Sequence, residues 1–371
     1  MKLLFWLSVL LVIYTYLLYP GWLFLRARLY ARPVRPMPIF PPVSIVIAAR
    51  NEGTHLEAKL QNLQQLDYPR ELVDTLVVSD GSTDQTTDIL ANFVDSRVRS
   101  IVLPMHCGKA EALNRAIEAA IGDIVVFMDV RQCVATDCIK TLVENFANPA
   151  VGCVSGALIL GEGQETSIRG VGSYWRMEKA IRNWESRAGS SVGATGALYA
   201  VRRSLVPHLP TGLILDDVFV PMEVARSGAR VIFEPRALAW DNLPSNAKQE
   251  FRRKVRTLFG NYQLLCMAPW LLTAANPLRF EFVSHKLFRL AIPFALIGMI
   301  SASFFLPGLL YRFPLVAAMG VGTLGALAFM RVPLGIVSRL THLALAFVLL
   351  NTAAIVAFFY FAAGKKQVWV H

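Results

Sequence analysis

Residues 76–84 read Leu-Val-Val-Ser-Asp-Gly-Ser-Thr-Asp, and this stretch decides how the middle of the chain folds. The apolar run at 76–78 predicts a strand, which closes on Ser79-Asp80-Gly81. Helical spacing follows at 83–93. The same alternation repeats on both sides. Residues 43–48 (VSIVIA) predict a buried strand behind Pro42, and 57–66 a helix with Leu60, Leu63 and Leu66 at helical spacing. Residues 98–103 predict a third strand. Residues 109–120 predict a helix with Ala112, Leu113, Ala116, Ile117 and Ala120 on one face, and 124–128 a strand ending at Asp129. Strands alternating with helices predict an α/β domain, a parallel sheet covered on both faces. Polar residues just after each strand then stand at the carboxyl ends, where such sheets bind ligands.

Charge around this core is segregated. The 371 residues are 54% hydrophobic and 17% charged, with a formal net charge of +11. Most charges lie between residues 26 and 290, and long apolar runs lie outside. The run at 3–25 is long enough to span a bilayer, which takes roughly 20 residues. It ends in no small-residue cleavage pattern, which favours a membrane helix over a signal peptide. Arg26, Arg28, Arg32 and Arg35 follow it. The positive-inside rule therefore predicts an integral protein of the cell (inner) membrane with a cytoplasmic central domain. Runs at 290–306, 314–330 and 340–363 predict two or three more spans, the first two near the lower length limit. Residues 264–275 are too short to span and predict an interfacial segment. Ser284-His285-Lys286 with Arg289 read as side chains snorkelling at the start of a span.

The organisation expected is a membrane helix and basic linker at 1–37 and a globular cytoplasmic domain at 38–240. Interfacial amphipathic helices follow at 241–286, then a membrane region at 287–371. Basic charge beside apolar runs points to an anionic lipid leaflet, and no nucleic-acid-binding signature accompanies it. Cys107, Cys133, Cys138, Cys153 and Cys266 form no Cys-x-x-Cys pair. They read as reduced, small hydrophobes and not as a disulfide framework or a zinc site.

Four polar clusters stand in a fixed order: Ser79 to Asp84, Met128-Asp129-Val130-Arg131, Leu215-Asp216-Asp217 and Gln249-Glu250-Phe251-Arg252-Arg253. With residues 43–52 (VSIVIAARNE), 77–84 (VVSDGSTD), 108–114 (GKAEALN), 125–129 (VVFMD) and 193–199 (GATGALY), the ordered set resembles the family 2 inverting glycosyltransferases. The flanking apolar runs make it similar to their membrane-bound branch, that of cellulose, hyaluronan and poly-N-acetylglucosamine synthases. The resemblance covers about residues 40–260. It implies the GT-A fold, a Rossmann-like mixed sheet for nucleotide-diphospho-sugar transfer, with flanking transmembrane helices.

The resemblance also implies site residues. Ala48, Glu52, Asp80, Lys109, Asp129 and Arg131 are expected to bind the nucleotide, Asp217 and Asp216 to serve catalysis, and Gln249, Arg252 and Arg253 to meet acceptor and diphosphate. Asp80 can accept from the N3–H of uracil while Gly81 lets the backbone come close; capping the next helix is the other reading. Asp84 reads as that cap. Asp217 is expected to take the proton of an acceptor hydroxyl, with Asp216 raising its pKa by like-charge repulsion or orienting the loop.

Two departures matter. Family members carry Asp-x-Asp where this chain has Asp129-Val130-Arg131, and the last aspartate there binds Mg or Mn. Either Arg131 supplies the positive charge by contacting phosphate, or Asp129 and another carboxylate still hold the metal. At the fourth cluster, Arg253 stands where processive members of the family carry a tryptophan that stacks on the acceptor sugar. Phe251, Val255, Leu258, Phe259 and Tyr262 also fall on one helical face, which reads as a helix lying on the bilayer. The function expected is transfer of a sugar from a nucleotide sugar, UDP-linked, to a lipid-linked or saccharide acceptor at the membrane. A processive, secreting polysaccharide synthase and a non-catalytic scaffold of the same fold are the alternatives.

Overall fold

The computed structural model describes residues 1–161, 169–241, 247–330, 332 and 338–365. Eight strands form one mixed sheet: β1 (Val43–Ala49), β2 (Val73–Asp80), β3 (Val98–Leu103), β4 (Ile124–Met128), β5 (Cys133–Val134), β6 (Val151–Leu160), β7 (Leu198–Arg202) and β8 (Arg230–Asp241). Their order is β3-β2-β1-β4-β7-β6-β8-β5. The half from β3 to β4 is parallel, as the strand–helix alternation predicts. Beyond it the sheet is mixed: β7 runs antiparallel to β4 and β6, β8 parallel to β6, and β5 antiparallel to β8.

Eleven helical stretches are used below. They are α1 (Lys2–Leu29), α2 (Gly53–Gln64), α3 (Thr86–Asn92), α4 (Lys109–Ala119), α5 (Cys138–Val143), α6 (Arg169–Ala188), α7 (Asp216–Arg226), α8 (Ala247–Met267), α9 (Arg279–Phe305), α10 (Leu309–Phe329) and α11 (Ser338–Ala362). Alternation along the strands splits the core into two layers, since successive side chains point to opposite faces. Ile45, Ile47, Val77, Val126 and Met128 pack with α2 and α5 on one face. Val46, Leu76, Val78, Val125 and Phe127 pack with α4 and α7 on the other. A sheet buried on both faces explains why these strands are continuous apolar runs.

Helices α1, α9 and α10, and residues Leu340–Ala362 of α11, are long and apolar enough to cross a bilayer. The runs read as short at 290–306 and 314–330 belong to helices of 27 and 21 residues, because the helical backbone extends past the apolar run at its N-terminal side. Ser284 to Arg289 therefore lie inside a helix, and the snorkelling reading fails there. His285 is 1% exposed. Its Nδ1 pairs with Glu185 at 2.7 Å and its Nε2 with Glu178 at 3.2 Å, while Arg289 donates to Glu178 at 2.5 Å. Both glutamates belong to α6, about a hundred residues earlier, so no local pattern announces them. Within residues 264–275, Leu264, Ala268 and Leu271 are fully buried against the second core layer, while Met267 and Leu272 are exposed. The apolar face of α8 likewise packs on protein: Val255 and Phe259 meet Ala353 and Ala357 of α11.

Candidate active site

A cleft of about 670 Å³ opens at the carboxyl ends of β1, β2 and β4. It is lined by Ala48, Glu52, Asp80, Lys109, Asp129 and Arg131, and from α8 by Gln249 and Arg253. The fold thus gathers residues spread over two hundred positions. Arg252 is exposed and does not line the cleft. The helical turn instead carries Arg253 and Arg256 inward, four and seven residues after Gln249.

The frame of the cleft is set by Asp80, which is 2% exposed. Its Oδ1 accepts from the backbone N–H of Cys107 at 2.6 Å, and its Oδ2 from that of Gly108 at 3.0 Å; Oδ2 also pairs with Nδ1 of His106 at 2.7 Å. Asp80 therefore caps the loop that delivers Lys109 to the start of α4, and not the helix that follows it in sequence. Gly81 makes this possible. Its φ is +57°, and a Cβ there would strike the backbone nitrogen of His106. The helix cap is Asp84, as the sequence predicts: its Oδ1 accepts from the Thr86 N–H at 3.0 Å and its Oδ2 from the Gly53 N–H at 2.9 Å. One carboxylate thereby ties the first turns of α2 and α3 together. Burial raises its pKa slightly, but these hydrogen bonds outweigh it and hold the group below the ordinary aspartate value.

The chemistry is concentrated around Lys109. Its ammonium lies 3.0 Å from Asp129 Oδ1 and 3.0 Å from Asp216 Oδ1, bridging the donor cleft to the first turn of α7. Burial pulls its pKa down, but Asp129 and Asp216 outweigh burial and hold it above the ordinary lysine value, so it stays charged. Asp216 is 4% exposed and also accepts from the Tyr199 hydroxyl at 3.1 Å. Tyr199 is fixed by stacking on Phe127 with ring centroids 4.5 Å apart.

Asp217, next along α7, has a different environment. Burial first, then the charge of Asp216, pushes its carboxyl up to about 6, against the pull of Lys109, Arg182 and Lys286. The segment 193–196 holds it in place: the Ala194 N–H donates to the Asp217 carbonyl at 2.7 Å. A Cβ built at Gly196 would lie 3.6 Å from Asp217 Oδ2 and 3.7 Å from Asp129 Oδ2. That glycine is the gap through which the two carboxylates face a common space.

Several contributors escape sequence reasoning. Arg50 and Gln132 line the cleft, each with a buried polar atom (Nε and Oε1) that has no hydrogen-bond partner. Arg256 is pulled below its ordinary value by burial, while Asp129, Asp216 and Asp217 oppose that pull. Lys59, 3% exposed in the middle of α2, donates to the Gln132 carbonyl at 2.8 Å and so props the 129–132 loop from behind. Burial brings its pKa down to about 8. Its place in a polar-looking stretch of helix gives no hint of that role.

A divalent ion of the kind the family resemblance implies does not fit this arrangement. Position 131 carries a guanidinium, which cannot ligate a cation, and its Nε is turned to Glu52 at 2.9 and 3.0 Å. Asp129 Oδ1 is engaged by an ammonium. Among the described residues, no group of three or more His, Cys, Asp or Glu converges to hold a metal.

A mixed sheet of this order, with a carboxylate-rich cleft at its strand ends and a basic helix closing it, defines a GT-A glycosyltransferase. Residues 44–209 match the model of glycosyl transferase family 2, so the chain carries a glycosyltransferase domain of that family, with four candidate membrane helices among the described residues. Over 240 residues it is 26% identical to the poly-beta-1,6-N-acetyl-D-glucosamine synthase of Staphylococcus epidermidis, covering 62% of this chain and 56% of that protein. The synthase of the same name from Staphylococcus aureus is 26% identical over 235 residues, 60% of this chain and 55% of that one. The chain thus spans a little over half the length of these curated relatives. Among solved structures, a mannosyltransferase from Pyrobaculum calidifontis, in complex with GDP-Man and Mn2+, matches with a TM-score of 0.74. It is 24% identical, and the match covers 98% of this chain and 99% of that one, so the likeness of fold extends through the membrane helices.

Proposed function

We propose that this protein is an inverting glycosyltransferase that moves a sugar from a nucleotide sugar, UDP-linked, to a lipid-linked or saccharide acceptor at the cytoplasmic face of the cell membrane, in the synthesis of a cell-surface glycan. The observation that carries the reading is Asp217, a carboxylate with a raised pKa that faces the cleft carboxylate Asp129 across Gly196. In this reaction the acceptor hydroxyl gives its proton to Asp217. The acceptor oxygen bonds to the anomeric carbon as that carbon's bond to the diphosphate oxygen breaks, with inversion, and the diphosphate leaves with the electron pair. A base is most useful when its pKa lies near the working pH, which is the direction of the Asp217 shift. The nucleoside is read by the frame around Asp80 and by Ala48 and Glu52. The acceptor arrives along α8, whose apolar face rests on α11 and whose polar face lines the cleft.

Release of UDP by the purified protein, measured over a panel of sugar nucleotides, tests this. One or a few donors should support release that depends on added acceptor; silence across the panel would overturn the reading. A processive polysaccharide synthase is the second reading, favoured by the names of the staphylococcal relatives. Against it, Arg253 is held by Glu250 at 2.9 Å and Asp241 at 3.4 Å, and offers no ring on which an acceptor sugar can stack. Product length on a gel separates a single addition from a polymer.

A further inference from the structure

We propose that this enzyme holds the donor's diphosphate with fixed side-chain cations, Arg50, Lys109, Arg131 and Arg256, and needs no divalent metal ion to do so. The inference rests on the reading above that the cleft binds a nucleotide diphosphate.

Charge placement carries the argument. Asp129, the one carboxylate left of the usual Asp-x-Asp pair, is surrounded by positive charge. Lys109 bonds it at 3.0 Å. Lys59 stands buried behind its loop, Arg131 is two residues on, and Arg256 lines the cleft with Asp129 within its electrostatic reach. A divalent ion beside Asp129 would be repelled by each of these cations. One carboxylate oxygen already engaged by an ammonium is a poor counterweight. The same cations are well matched to an anion. Arg50 presents a buried Nε with no partner on the cleft wall. Arg131 is 56% exposed and pairs with Glu52, an interaction weak enough to exchange for phosphate. A guanidinium on a phosphate makes charge-assisted, paired hydrogen bonds. Lys109, which also touches Asp216, would carry the arrival of the diphosphate to the first turn of α7.

The test measures UDP and GDP binding to the full-length protein by calorimetry, in excess EDTA and in Mn2+. The wild-type affinity for the nucleotide that binds should agree within about threefold between the two conditions. Arg131→Asp should weaken binding about tenfold or more in EDTA and recover it in Mn2+, and should gain a Mn2+ signal in electron paramagnetic resonance that the wild type lacks. Arg256→Gln should weaken binding to the same extent in both conditions. A wild-type affinity that falls more than tenfold on chelation would overturn the inference while leaving the transferase reading intact. If neither nucleotide binds in either condition, the reading of the cleft itself fails.

Discussion

Asp80 is buried and Asp217 half-buried beside one cleft, and the fold treats the two carboxylates in opposite ways. Asp80 ends a strand and takes two backbone N–H groups and a histidine nitrogen, so its charge is met on every side. Asp217 begins a helix beside another carboxylate, half-buried and with no such hydrogen bonds to its carboxylate among the described residues, so ionising it costs free energy. A carboxylate satisfied by the chain makes a rigid frame. One left under electrostatic stress is ready to take a proton. On the proposed reading, Asp80 positions and Asp217 reacts.

Removing each carboxylate should break that comparison in opposite directions. The largest effect is on turnover. Asp217→Asn should lower it about 10²–10⁴-fold, with nucleotide affinity by calorimetry changed less than about threefold. Below pH about 6, turnover of the wild type should fall about tenfold per pH unit, as Asp217 becomes protonated amid Asp216, Lys109, Arg182, Arg256 and Lys286. A flat profile from pH 5 to 8 would remove Asp217 from the role of base.

Stability gives the sharper contrast. The folded-state pKa of Asp217 is raised, so its contribution is fully present below the unfolded value near 4 and lost as pH rises through about 6. Asp217→Asn should therefore raise the melting temperature at pH 7.5. Asp80→Asn, which takes the charge from three hydrogen bonds, should lower it, by an amount equivalent to about 2–3 kcal/mol. Melting temperatures that move the same way would remove the contrast between the two carboxylates. The smallest effect is expected at the cap: Asp84→Ala should cost about 1 kcal/mol in a denaturation curve and leave the pH profile of turnover unchanged.

Much of the donor half was legible in the sequence because its signals are local. The strands at 98–103 and 124–128 match β3 and β4 residue for residue, since their apolar runs are bounded by turns. Ends set by tertiary pairing were read less well: β2 begins at Val73 because it pairs along the whole of β1. The cleft residues carried by motifs (Ala48, Glu52, Asp80, Lys109, Asp129 and Arg131) came together in space. Those without a motif did not announce themselves. Arg252 and Arg256 lie one helical turn apart on nearly the same face, so the sequence pattern alone does not say which of them meets the cleft. Lys59 and His285 were hidden for the same reason: their partners lie some seventy and a hundred residues away.

Helix α8 belongs to two compartments at once. One side is locked by Val255, Phe259 and Tyr262 against the last membrane helix, and the other supplies Gln249, Arg253 and Arg256 to the cleft. Membrane helices adjust their tilt to the hydrophobic thickness of the surrounding lipid. Because α8 and α11 are packed together, a change in the tilt of α11 would also move the cleft wall that α8 supplies.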